Sequence, residues 1–431
     1  MTNSEQTPAR PGSEVPLSSR PVTRSALLRG AAAAGIAGIA SRVLAPQPAR
    51  AAVAPPADGS DAPQIAAYYF PQWHVDPRNV GWHGDGWTEW RMVQDATPRF
   101  AGHLQPKVPL WGYQDESSPA VMQTKIDAAA DHGLDAFIFD WYWYQNSTFL
   151  ARPLEDAFLQ APNNQRLKFA LMWADQDWWD LYPQKRAPFQ TSQPYTVLIP
   201  GKTPLDSFQA MTDYVINTYM GHPSYWRVGG GLYFSFYDPE LLQAGLGSPA
   251  DVKAALADFR ARARAAGRGE LHLNCVVTQF IAGANDLVTE MGFDSVTNYT
   301  WIHFEYDKFQ GITTPYQTIR LAAQSDWPKL AAQFSVPYLP NVTAGWDASP
   351  RCAQTDTYNK IGYPFETILT GNTPAEFGAA LAACREFLSQ PGRELKVATI
   401  NAWNEWTEGS YLEPDTRDGY GRLEAIKNVF G

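Results

Sequence analysis

Cysteine, histidine pairs, glycine-rich loops and long apolar spans are all scarce in this 431-residue chain, and each shortage removes a class of function. Three cysteines, Cys275, Cys352 and Cys384, permit one disulfide with a thiol left over, which excludes a disulfide scaffold. The seven histidines form no HxH or HxxxH pair and the cysteine spacing makes no zinc site, so neither a metal nor a cofactor is expected. DTRDG at 415–419 lacks the alternating ligands of a calcium loop and reads as a solvated turn. Basic residues are outnumbered 34 to 44, a net charge of −10 that repels nucleic acid and anionic lipid and points to a neutral ligand.

The N-terminus has a different composition from the rest. Arg10, Arg20 and Arg24 precede ALLRGAAAAGIAGIA, and the segment closes on Ala49-Arg50-Ala51, the pattern of a signal peptide spanning 1–51. TRSALLR resembles a twin-arginine export signal with Ser25 where the second arginine would stand. A membrane anchor is the alternative, but the apolar run falls short of the roughly 20 residues that span a bilayer. Cleavage would remove six arginines and two glutamates, taking the net charge to −14. The expected product is a secreted, monomeric protein with no membrane attachment. Residues 52–63, AVAPPADGSDAP, read as a flexible lead-in, and 64–431 as one domain.

Within that domain, eight short apolar runs recur: 65–70, 134–140, 167–173, 231–236, 271–277, 293–299, 336–342 and 395–401. Amphipathic stretches lie between them, clearest at 120–132, 205–220, 249–266, 315–332 and 374–389, several opened by Pro or a Ser/Thr cap. The second and fifth helices are poorly marked. Near-continuous apolar strands alternating with helices signal a parallel sheet covered on both faces, and eight such units predict an α/β chain folded as a (β/α)8 TIM-type barrel with long loops. An open doubly wound sheet is the competitor, but YYFPQWH after the first run is bulky where a phosphate loop would be glycine-rich.

In a barrel the chemistry gathers at the C-terminal ends of the strands. Fourteen of the sixteen tryptophans map there, all but Trp226 and Trp327. Packing is the ordinary fate of any one of them; as a group they suit stacking on pyranose faces. Trp73, Trp87, Trp90, Trp141, Trp143, Trp173, Trp403 and Trp406 are the candidates, with Tyr69 beside them. Polar candidates are His74, Asp76 and Glu89 in the first loop, His103 in FAGHLQP, Asp140, Asp175, Asn298 and Asn404, while Asp177, Asp238, His303, Asn341 and Asp347 reach the same face. The densest stretch is NAWNEWTEGSYLEPD, 401–415, where Glu405 and Glu408 stand three apart, with Glu413 as a supporting acid. Two carboxyls in one turn push their pKa values apart, which suits glycoside cleavage, where one must hold a proton and the other must not.

YYFPQWHVDPRNVGWHGDGWTEW, FAGHLQPKVPLWGY, GLDAFIFDWYWY and NAWNEWTEGSYLEPD together resemble the glycoside hydrolase family 99-like group, including the WbsX-type proteins of bacterial polysaccharide loci. The resemblance implies a (β/α)8 barrel and retaining, metal-independent cleavage of an α-linked, mannose-like glycan, with an oligo- or polysaccharide as substrate. It further implies that Glu405 deprotonates the substrate's own 2-hydroxyl while Glu408 serves as acid and then base. The chain departs from the family's mannosidases at Thr407, where they carry His, and in GSYLEP. A glycosyltransferase or transglycosylase, and a non-catalytic carbohydrate-binding protein, are the alternatives.

Overall fold

The computed structural model describes residues 62–186, 195–278 and 283–431. The expected export segment, and all of the lead-in but Ala62 and Pro63, lie outside the described residues. Nine parallel strands form a nearly closed barrel: β1 (Gln64–Tyr69), β2 (Ala136–Tyr144), β3 (Lys168–Trp173), β4 (Gly231–Phe236), β5 (Leu271–Val276), β6 (Ser295–Thr297), β7 (Tyr338–Leu339), β8 (Asn341–Thr343) and β9 (Val397–Asn401). Hydrogen bonding runs in sequence order from β1 to β7, and β9 lies between β1 and β8. That closure rules out the open sheet. The nine strands are the eight expected runs, because Pro340, with no N–H to give the ladder, divides the seventh.

Ten helices lie among the described residues: α1 (Pro77–His83), α2 (Trp90–Asp95), α3 (Pro119–Asp131), α4 (Leu205–Thr218), α5 (Pro239–Leu246), α6 (Pro249–Ala265), α7 (Ala284–Met291), α8 (Tyr316–Gln333), α9 (Pro374–Leu388) and α10 (Gly421–Phe430). Proline opens α1, α3, α5, α6 and α9, where its missing N–H costs nothing, and Asp76, Asp238, Ser248 and Thr373 cap four of those five. No full helix follows β2. Gln145 and Asn146, with φ of 55° and 57°, turn the chain back as Ser147–Phe149 antiparallel to β2, and a single π-helical segment, Pro153–Phe158, covers the barrel there.

Side-chain parity in β2 decides what faces inward. All nine of its residues are buried, so hydrophobicity alone does not distinguish the two faces. Trp141 and Trp143 point outward against α4: their rings stack 5.8 Å apart, Trp141 stacks on Tyr214, and its Nε1 donates to Tyr219 Oη at 3.1 Å. Asp140 faces the interior, where Tyr299 donates to it at 2.8 Å. Two long excursions leave the strands' C-terminal ends, residues 70–118 after β1 and 344–373 after β8, and these build the site.

Candidate active site

The chain leaves β9 into a small hairpin in which Asn404 pairs with Tyr411 and Glu405 with Ser410. A 3-10 turn, Trp406–Glu408, closes it, and in that tight geometry side chains three apart eclipse. Glu405 and Glu408 therefore project to the same side, both buried. Gly409 follows with φ +66°, and a Cβ there would lie 2.7 Å from Asp347 Cβ. This absence of a side chain lets the loop after β8 dock: Asp347 N–H donates to the Glu408 carbonyl at 2.5 Å.

The same loop supplies the group that organises the carboxylates. Arg351 is fully buried, and its Nη2 donates to Glu405 Oε1 at 2.7 Å, its Nη1 to Glu408 Oε1 at 2.5 Å and its Nε to Glu89 Oε1 at 2.9 Å. Tyr363 donates to Glu408 Oε1 at 2.7 Å and accepts from Arg351, while Thr407 donates to Glu89. One guanidinium thus serves three carboxyl groups. Burial, then the charge of Glu408, pushes Glu405 well above the usual carboxylate range against the pull of Arg351. Burial likewise raises Glu89, opposed by Arg351 and Thr407.

Glu408 opens on a narrow cavity of about 10 Å³, lined by Tyr299, Thr300, Ile302, His303, Trp346, Tyr363 and Glu366. Behind the hairpin lies a second buried network. Lys125 bonds Glu116 at 2.8 Å and also Glu413; Asn404 and Tyr69 donate to Glu116, the former at 2.9 Å; Trp406 Nε1 donates to Glu413 at 2.7 Å.

These contacts reassign many expected sugar-binding residues. Tyr69, Asn404, Trp406 and Glu413 spend their polar atoms on the Lys125 network. Trp73, Trp90 and Trp406 pack with Phe70, Val93 and Tyr411 as a separate apolar cluster under the turn. Trp141 and Trp143 face α4, and so does Trp173, whose ring lies 5.9 Å from Phe208. Trp403 packs on Phe137 in the main core, and Trp87 lies between His83 and Tyr182. Asp76 caps α1. His74 donates from Nδ1 to the Pro71 carbonyl at 2.9 Å, and burial lowers its pKa to about 4. Asn298 accepts from Tyr338 and donates to the Val277 carbonyl. Asp175 accepts the Asp238 N–H at 2.8 Å.

His103 is structural in a different way. Its Nδ1 accepts the Arg99 N–H, which leaves Nε2 to donate to Asp347 at 2.9 Å. Gln105 and Lys107 bond the same Asp347 oxygen at 2.7 and 2.5 Å. Burial opposes ionisation of Asp347, yet Lys107 and His103 hold its carboxyl well below the usual range. Of the expected polar set, Glu89, Glu405 and Glu408 converge, with Asp140 close enough to act on Glu405. Arg351, Tyr363, Tyr299, Glu116, Lys125 and Glu366 were not among the expected residues. Charge balance was the available signal: three buried acids require a buried cation.

A model of the family described as glycosyltransferase WbsX matches residues 65–426. The chain belongs to the WbsX family. The WxcX protein of Xanthomonas campestris pv. campestris, uncharacterized, is 31% identical in each of two strains over 385 residues, 85% of this chain and 49% of WxcX. This WbsX-family chain thus spans about half the length of the curated relatives it matches. Among solved structures, the GH99 endo-alpha-mannosidase from Bacteroides thetaiotaomicron matches with a TM-score of 0.51 at 13% identity, covering 85% of this chain and 96% of the mannosidase. A glycoside hydrolase-like protein matches at 0.53 and 15%, covering 86% and 94%. At such identities the likeness is one of fold, and the WbsX-family chain shares their barrel.

Proposed function

We propose that this chain is a secreted glycoside hydrolase, endo-acting on an α-linked, mannose-like polysaccharide or glycan with retention, and that Glu405 and Glu408 perform the cleavage. The observation that carries the reading is the carboxyl pair bridged by one guanidinium, with Glu408 opening on a cavity walled by Tyr299, Trp346 and Tyr363. Hydrolysis needs one carboxyl with a proton and one without, and the contacts supply that asymmetry. Burial favours the protonated form of Glu405, while Glu408 accepts hydrogen bonds from both Arg351 and Tyr363. In this reading Glu405 is the acid and Glu408 the base, the reverse of the roles that the family resemblance implies.

The family's description favours a transferase as the second reading. A nucleotide-sugar donor would bring a diphosphate into a cavity that carries Glu408 and Glu366, beside an arginine already shared by three carboxylates, an unfavourable field for an anion.

The deciding experiment incubates the protein with a polysaccharide panel, with and without sugar acceptors, sizes the products by mass spectrometry and follows the first anomer by NMR. Shorter chains are expected. Longer chains would establish transfer, and tight binding without cleavage would establish a lectin-like role. Glu405→Gln and Glu408→Gln should each lower turnover about 10²–10⁴-fold while remaining folded. Glu405→Gln alone should recover rate on a glycosyl fluoride, which needs no acid; recovery by Glu408→Gln instead would restore the roles implied by the resemblance.

A further inference from the structure

We propose that Arg351 and Tyr363 are the positioning residues of this centre and that Glu89 is their counter-charge. In this arrangement the loop after β8 sets both the geometry and the proton distribution of Glu405 and Glu408. The inference rests on the reading of those two glutamates as the reacting pair.

The geometry is specific to a forked cation. Three of Arg351's nitrogens meet three carboxyl groups from two separate chain segments, so Glu405 and Glu408 have their oxygens fixed against one rigid plane. A lysine at this place would offer a point charge and no plane. Tyr363 breaks the symmetry, since its hydroxyl gives Glu408 a second donor. Glu89 does the opposite job. It adds a negative charge beside the pair without reaching the cavity, and it is tied to Arg351 and Thr407. The loop that carries the clamp is itself pinned at Asp347, which also holds the Glu408 backbone.

The groups that face the pair from each surrounding element are Arg351 and Tyr363 from the loop after β8, Glu89 from the loop after β1, Asp140 from β2 and Tyr299 from the loop after β6. Glu366 and His303 share the Glu408 cavity. Removing the Tyr363 hydroxyl takes a hydrogen-bond donor from the Glu408 carboxyl, and the loss of a donor disfavours a charged acceptor. Removing the Glu89 charge relieves repulsion and lowers the pKa of the pair. The two substitutions therefore act in opposite directions, which a purely structural role would not produce.

The test uses Tyr363→Phe, Glu89→Gln and Arg351→Lys in the full chain, with two readouts. The first is the pH profile of kcat/KM on a cleaved glycan: Tyr363→Phe should move the acid limb up by about one pH unit and Glu89→Gln should move it down by a similar amount. KM should stay within about twofold of wild type in both, and Arg351→Lys should lose about 10²-fold in kcat despite its retained charge. The second readout needs no substrate. Infrared difference spectra follow the protonated-carboxyl band against pH, and the same opposed shifts are expected there. Opposed infrared shifts without glycan cleavage would leave the positioning inference standing and overturn the hydrolase. Shifts of the same sign, unmoved midpoints, or an Arg351→Lys enzyme equal to wild type would overturn the positioning inference whether or not glycan is cleaved.

Discussion

Lys125 is buried among Glu116, Glu413, Tyr69 and Trp111. Its two carboxylate partners keep it charged, and its charge in turn limits how far burial lifts Glu116, which stands at about 8. Breaking a buried ion network from one side costs more than the network contributes, because the partners are left uncompensated. Lys125→Met should therefore lose roughly 3–5 kcal/mol in chemical denaturation. Because the network lies behind the hairpin, the folded fraction should retain its KM. Arg351 teaches the same lesson about reading residues from sequence. In DASPRCAQ it looks like an ordinary loop arginine, and its partners stand 54, 57 and 262 positions away. Nothing local marks a residue whose identity is fixed by distant carboxylates.

At the scale of the elements, barrel strands were legible for the reason that made their faces illegible. A parallel strand buried on both sides reads as a continuous apolar run, so all eight runs could be found, yet no alternation remained to say which aromatic ring faced inward. Trp141 and Trp143 stand on the same side of β2 and meet α4; Asp140 on the other side meets Tyr299. The Glu405/Glu408 pair was legible because its two members share a single turn, whose 3-10 geometry brings them together without any long-range contact. A measurable consequence separates packing from binding. Trp141→Ala removes a ring that joins β2 to α4 and should cost about 3–5 kcal/mol of stability, read by thermal or chemical unfolding. Its KM for a cleaved glycan should stay unchanged, and a large rise in KM with little loss of stability would return Trp141 to the sugar site.

At the scale of the whole molecule, the site depends on two excursions, far apart in the chain, that are bonded together at Asp347 and by Arg99. His103, Gln105 and Lys107 come from the loop after β1, while Asp347 stands at the root of the loop after β8 and passes its N–H to the Glu408 carbonyl. Loosening this strut should disturb the reacting pair without touching it. Asp347→Asn removes the charge that Lys107 and His103 stabilise and should cost about 2–4 kcal/mol, with a fall in kcat exceeding any change in KM. The sign of its pH dependence follows from the depressed folded-state pKa. A carboxyl held below its unfolded value of about 3.9 contributes stability that is complete above that value and is lost as the pH falls below it. The stability gap between wild type and Asp347→Asn should then narrow below about pH 4 in denaturant titrations. A gap that persists unchanged into strong acid would show that Asp347 holds the two loops through shape rather than charge.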